Sequence, residues 1–277
     1  MEIINKTMDR GDLFTDESMP AINRIDDLIR DIYSRGLNIT NWYGFMTDDR
    51  EAESLQGVGI DNRGSDYEPL TGVVDDGRFP WYLYWETCTV LANGPKLKKD
   101  HVVLDAGGTS SLFSCYLASR GAEMHSIDFN EEIVANGNKL SQEMGWNMSS
   151  YHMDMRTLDF PDEFFNHAYS ICVFEHLESR VKQLALEEIA RCLKPKGMLS
   201  ITFDYKNPAP DVYPIGPDTS SENRPSTTED IGRAFLSTGR FELVGNKEFF
   251  DNGKTYLMNP KFGNRPYTFG AIFLQKK

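Results

Sequence analysis

An open, mostly parallel α/β sheet of seven strands is the fold class this sequence predicts, with helices on both faces, an antiparallel last strand and an N-terminal helical cap. Three observations predict it. From residue 101 onward, apolar runs of strand length alternate with amphipathic helical stretches, the pattern of βαβ units. Acidic residues, Asp105, Asp128 and Asp154, stand at or just after the ends of the first three of those runs. Finally, FELVG and YTFGAIFLQKK follow a late helix and read as an antiparallel closing pair.

Residues 1–95 form the predicted cap, packed on a core of residues 96–277 with an insertion at about 205–225. In the cap, Ile22, Ile25, Leu28, Ile29 and Ile32 recur at helical spacing over 20–35, and Gly36 supplies a stop. Residues 37–79 carry no periodicity. A second helix follows Pro80 and ends at Asn93-Gly94-Pro95. Its aromatics, Trp81, Tyr82, Tyr84 and Trp85, exceed what one buried stripe needs, so some are expected to face a pocket. In the core, HVVLDA, AEMHSID, MSSYHM, HAYSICV and GMLSITF read as strands, and the two closing runs bring the count to seven. The helices between them are marked by Leu112, Phe113, Tyr116 and Leu117, by Ile133 through Met144, and by Val181, Leu184, Ala185, Ile189 and Cys192. Gly121 closes the first of these, and Lys194-Pro195-Lys196-Gly197 is expected to close the last. The late helix lies in RPSTTEDIGRAFLST, where Ser226 and Glu229 have capping-box spacing.

Composition narrows the function. The 277 residues are 40% hydrophobic and 26% charged, with a net charge of −13. That balance disfavours gripping nucleic acid or lying on an anionic membrane surface. No signal-peptide core or membrane-length run is present, so the expected location is cytoplasmic. Cys88, Cys115, Cys172 and Cys192 make no CxxC pair, and buried thiols in a reducing compartment are expected, with no metal site. Oligomeric state has no signature in the sequence.

Ligands of open parallel sheets bind beyond the carboxyl ends of the strands. Asp105-Ala106-Gly107-Gly108 occupies that place after the first strand. A pyrophosphate would be repelled by a carboxylate here, and the dinucleotide pattern GxGxxG is absent, although Asp128 has the spacing of a ribose-binding acid. S-adenosylmethionine (SAM) fits better. Its ribose hydroxyls and adenine amine donate to carboxylates, and its sulfonium and ammonium favour an acidic cleft.

The segments VVLDAGGTSS, HSIDFN, YHMDMRTLDFPDEFFNHAYSICVFEHL and IARCLKPKGMLSITF together resemble the core of class I SAM-dependent methyltransferases of the small-molecule type, over residues 101–204. The resemblance implies the Rossmann-like methyltransferase fold. It further implies that Gly107 and Gly108 let the backbone approach the methionine end of SAM, and that Asp105 helps hold its amino group. Asp128 would take the ribose hydroxyls with Phe129 beside adenine. Asp154 and Met155 would meet the adenine edge, and Val173 and Phe174 would flank the cofactor. The family's alternating glycines are replaced here by Thr109 and Ser111. The Thr109 hydroxyl is a candidate for touching the SAM carboxylate, and Ser110 or Ser111 for capping the next helix.

For the reaction, His176 is the candidate general base, because it follows the fourth strand and its ordinary pKa suits proton transfer near neutrality. Trp81, Trp85, Tyr205 and Tyr213 are candidates for the acceptor site, roofed by the aromatic helix and the 205–225 insertion. His125 and His152 are expected to pack within strands. The expected function is transfer of a methyl group from SAM to an O, N or C atom of a small molecule, leaving S-adenosylhomocysteine (SAH). The alternatives are a non-catalytic SAM- or SAH-binding protein on the same fold and, more distantly, an NAD-dependent oxidoreductase.

Overall fold

The sheet is organised around the order β7-β6-β5-β8-β9, all parallel, with β12 antiparallel beside β9. The computed structural model describes residues 3–41, 44–45, 59–60, 81–207, 224–259 and 265–277. In chain order its strands are β1 (Lys6–Thr7), β2 (Thr40–Asn41), β3 (Gly44–Phe45), β4 (Gly59–Ile60), β5 (Val102–Ala106), β6 (Glu123–Asp128), β7 (Met148–His152), β8 (Phe165–Ile171), β9 (Leu193–Tyr205), β10 (Phe241–Leu243), β11 (Leu257–Asn259) and β12 (Arg265–Lys276). The helices are α1 (Ser18–Ser34), α2 (Trp81–Asn93), α3 (Leu112–Ser119), α4 (Glu131–Met144), α5 (Ser179–Cys192) and α6 (Thr228–Ile231). The closing pair forms as expected, with β10 antiparallel to β12. β1 and β11 also pair with β12, and β4 adds to β11.

Local sequence accounts for most of these elements. Val103, Leu104 and Ala106 of β5 are all buried, as a strand covered on both faces requires. α1 buries the predicted isoleucine stripe and ends where Gly36 takes φ +68°. α4 starts on the Asn130 side chain, which accepts from the backbone of Glu132 and Ile133, and stops at Gly145 in the left-handed conformation.

Helix α5 ends at Cys192, just before Lys194–Gly197, as expected. That segment bulges between Leu193, paired with Phe165, and Met198, paired with His167, with Lys196 at φ 63°. Two local expectations fail. The capping box is made by Thr227 and Asp230 rather than Ser226 and Glu229. The helix it opens is one α-helical turn, continued as a π-helical turn through Gly232–Leu236. His152 is on the surface, its side chain half exposed beside Glu131, because β7 is the edge of the sheet. His125 does pack inward, among Tyr151, Phe160, Phe164 and Phe165. The four thiols are unbridged, Cys88, Cys115 and Cys192 buried and Cys172 partly so.

The N-terminal segment shares one apolar cluster with the sheet: Met8, Leu13, Ile22 and Ile25 belong with Val103, Phe113, Tyr169 and Phe269. The aromatics of α2 complete this seam. Trp85 is fully buried and donates its indole N–H to Asp12 Oδ2 at 2.9 Å, and Tyr84 donates to Asp26 Oδ1 at 2.7 Å. Trp85 is therefore enclosed in the cap among the described residues, which corrects its assignment to the wall of an acceptor site. Trp81 is partly buried between Tyr82 and Tyr256, with the Arg10 guanidinium over its ring. Residues 42–43, 46–58, 61–80 and 208–223 lie outside the described residues, and with them Tyr213 and most of the region expected to be the roof. No described helix is long and apolar enough to cross a membrane.

Beside the pairing of β1 with β12, one buried side chain anchors the first residues. Asn5 is completely buried. Its amide donates to the carbonyls of Val244 and Asn246 at 2.6 and 2.8 Å, and its Oδ1 accepts from Phe273 N at 2.8 Å. Truncation would strand several backbone groups, each costing about 1–3 kcal/mol when buried without a partner. Asn5→Ala is expected to lower the unfolding free energy by at least about 2 kcal/mol, read as a lower midpoint in urea denaturation at unchanged slope.

Candidate functional site

The strand order reverses between β5 and β8, so their carboxyl ends diverge into a cleft. The turn after β5 lies at this crevice. Gly107 takes φ +86°, and a Cβ there would sit 2.7 Å from Val173 Cγ1, beyond the end of β8. A Cβ on Gly108 would sit 2.1 Å from Asp105 Oδ2. Both positions therefore require glycine, one for conformation and close approach, the other for close approach alone.

Asp105 is fully buried beneath this turn and accepts from Ser114 Oγ at 2.6 Å. Burial pushes its carboxyl up to about 7, with Ser114 opposing. Its carboxylate thus underlies the loop rather than forming the cleft surface. Thr109 is also buried, and its hydroxyl has no hydrogen-bond partner among the described residues. Its methyl fills the space left by Gly137 of α4, where a Cβ would come within 2.9 Å. The left-handed residue of the turn is Ser110, at φ 56°. Ser111 caps α3 by accepting from Ser114 N at 3.2 Å.

A clasp from the N-terminal segment closes over this turn, and nothing in the sequence marked it. Thr40 N donates to Ser110 O at 3.0 Å, and Thr40 Oγ1 donates to Thr109 O at 3.3 Å. Asn136 of α4 holds the same segment by donating to Asn38 O at 2.7 Å.

Along the cleft, Asp128 ends β6 and accepts from Asn130 N at 2.9 Å. Burial pulls its carboxyl upward, against backbone hydrogen bonds from Asn130 and Phe129. Beside it the Phe129 ring is 42% exposed, one of four large apolar side chains left outside the core among the described residues. Asp154 lies two residues past β7 and is paired with Arg156, whose Nε is 2.8 Å from Oδ2. Burial opposes its ionisation, but hydrogen bonds from the Arg156 side chain and backbone outweigh that and hold the carboxyl below its ordinary value. Met155 is buried in the second apolar cluster. Phe174 is fully buried there too, 6.1 Å from Phe235, so its ring faces the core and not the cleft.

At the ends of β8 and β9 the polar groups crowd. His176 closes a single 3₁₀ turn, Phe174–His176, with its side chain 28% exposed. Its Nδ1 is 3.5 Å from Arg224 Nη2, and its Nε2 is 3.9 Å from Glu175 Oε1. Arg224 pairs with Asp204. Cys172 and Lys206, at φ 56° and 62°, add two more non-glycine residues in the left-handed region. Tyr205 is buried, its ring tilted against Phe249, with its hydroxyl directed at Asp251 at 3.4 Å, so it faces away from an open acceptor surface. His101 and His167 meet at the opposite ends of the strands, 4.9 Å between ring centroids.

Residues 104–201 match the family described as a methyltransferase domain. The fold is also that of several solved structures. The [4+2]-cyclase SpnF is 19% identical, with 73% of this chain and 84% of that one covered at a TM-score of 0.56. Geranyl diphosphate C-methyltransferase from Streptomyces coelicolor A3(2), solved with Mg2+, geranyl diphosphate and SAH, is 12% identical over 69% and 78% of the two chains at 0.52. The 1,6-didemethyltoxoflavin-N1-methyltransferase of Burkholderia thailandensis, solved with 1,6-didemethyltoxoflavin and SAH, is 18% identical over 69% and 76% at 0.50. No curated protein matches the sequence. Residues 104–201 thus match a methyltransferase domain, and β5 to β9 have the Rossmann-like fold of these structures.

The buried Asp105 yields a pH signature. Its folded-state pKa, about 7, lies above the unfolded value. The stability associated with its neutral form is complete below the unfolded pKa and is lost as pH rises through the folded one. Asp105→Asn removes that dependence. The stability of the variant relative to wild type is expected to rise by a few kcal/mol between pH 4 and pH 8, read from urea unfolding across that range.

Proposed function

We propose that this protein transfers a methyl group from SAM to a small-molecule acceptor by in-line displacement. The observation that carries the reading is the turn at Gly107 and Gly108, where neither position has room for a Cβ, at the switch point of a parallel sheet with Asp128 at the next strand end. The residues present fit the donor. The backbone of the turn and the start of α3 offer N–H groups to a carboxylate, Asp128 offers acceptors to ribose hydroxyls, and the exposed Phe129 ring offers a face to adenine.

In this reading Gly107 and Gly108 hold the methionine end of SAM, and Val173 lies against it. Asp105 acts through the loop, by fixing Gly108 and the start of α3 through Ser114. Asp154 acts through Arg156, and Met155 through its backbone, at the adenine edge. Bound SAM supplies an electrophilic methyl group, and the protein's contribution is alignment and exclusion of water. His176 stands at the rim of the polar end of the cleft and serves as the base for an acceptor that must lose a proton. The acceptor enters over the ends of β8 and β9, beside His176. The two methyltransferase structures named above carry small organic acceptors, which supports this acceptor class.

Thermal-shift titration checks the reading. SAM and SAH are expected to raise the melting temperature in a saturable way and NAD is not, since only a ligand of the folded state stabilises it. Absence of a shift with both SAM and SAH would contradict it. Gly108→Ala is expected to weaken SAH binding at least about tenfold in calorimetry, because its Cβ displaces the loop from Asp105.

A further inference from the structure

Three potential ligand side chains converge where β8 and β9 end. Cys172 Sγ and one carboxylate oxygen each from Glu175 and Asp204 all lie within 4.8 Å of one another. Glu86, from the middle of α2, reaches the same region, where Thr202 Oγ1 bonds both its carboxylate and the Cys172 backbone N–H. Glu86 and Glu175 are at most 1% exposed, and Asp204 only 8%.

Each carboxylate is held by one oxygen. Thr202 Oγ1 donates to Glu86 Oε1 at 2.7 Å, and Asp204 N donates to Glu175 Oε1 at 3.1 Å. Asn207 Nδ2 donates to Asp204 Oδ2 at 2.6 Å, where Arg224 also pairs. The second oxygens of Glu86 and Glu175 are buried and have no hydrogen-bond partner among the described residues. Such atoms are costly to leave unmatched. The arrangement is that of ligand carboxylates oriented by outer-shell donors.

We propose that Cys172, Glu175 and Asp204, with Glu86 as the fourth donor, form a binding site for one divalent cation of borderline softness, with Zn2+ or Co2+ as its probes. One thiol and three carboxylates suit such an ion, since zinc accepts sulfur and oxygen donors in a closed tetrahedral set. Zinc binds sulfur at about 2.3 Å and carboxylate oxygen at about 2.0–2.2 Å, so the donors need only draw modestly inward. The charge balance agrees. Arg224 and His176 are the cationic or potentially cationic groups against this cluster, and Arg224 is engaged on the outer oxygen of Asp204. The site stands independently of methyl transfer and needs neither SAM nor an acceptor.

The test uses the full chain, freed of metal by a chelator and then titrated with Co2+. The expected result is one tightly bound Co2+ per chain, with a near-ultraviolet thiolate-to-cobalt charge-transfer band and visible bands of tetrahedral intensity, all displaced by Zn2+. Cys172→Ser is expected to abolish the charge-transfer band, and Glu175→Gln to weaken Co2+ binding at least tenfold. Substoichiometric binding, a cobalt spectrum lacking the thiolate band, or a band that survives Cys172→Ser in folded protein would each overturn the proposal. Should either variant fail to fold, the wild-type spectrum alone decides, because Cys172 is the one cysteine in a metal-type cluster among the described residues.

Discussion

The absence of a Cβ at Gly107 and Gly108 is the constraint on which the rest of this site depends. The chain must leave β5, pass between Val173 and the Asp105 carboxylate, and enter α3 within a few residues. Only a bare backbone fits that path. Once there, the turn is fixed from every side: Asp105 and Ser114 from below, Ser111 at the helix start, Thr40 from above. A carboxylate enclosed in this way is costly, and its upward-shifted pKa records that cost. Its function follows from its position under the loop, where it shapes the surface that a cofactor meets without itself forming that surface.

The cap and the core are joined by the same logic of enclosed polar anchors. Trp85 and Tyr84 bury large rings and direct their polar atoms to Asp12 and Asp26. Aromatic side chains with one polar handle are suited to such seams. The clasp through Thr40 then carries the cap to the edge of the cofactor turn, so ordering of the N-terminal segment and of the turn are coupled by direct hydrogen bonds.

What was legible in the sequence was what local pattern dictates. Parallel strands buried on both faces read as apolar runs, acids at strand ends read as ligand groups, and Gly36 and Gly121 punctuate helices by backbone geometry. What escaped depends on distant partners. The excess aromatics of α2 looked like a pocket wall because Asp12 and Asp26 lie more than fifty residues away in sequence. The contact of the Thr109 methyl with Gly137 of α4 has no local signal. The cluster of Glu86, Cys172, Glu175 and Asp204 has no motif spacing, since its members come from a cap helix and two strand ends.

The central claim is that the turn after β5 and the end of β6 bind the two halves of one SAM-type ligand. A crystal structure with SAH tests it most directly. The account predicts the methionine carboxylate and amine against the Gly107–Gly108 backbone and the start of α3, the ribose hydroxyls on Asp128, and adenine beside Phe129. A ligand bound elsewhere, or one seated at the turn with its ribose away from Asp128, would contradict it.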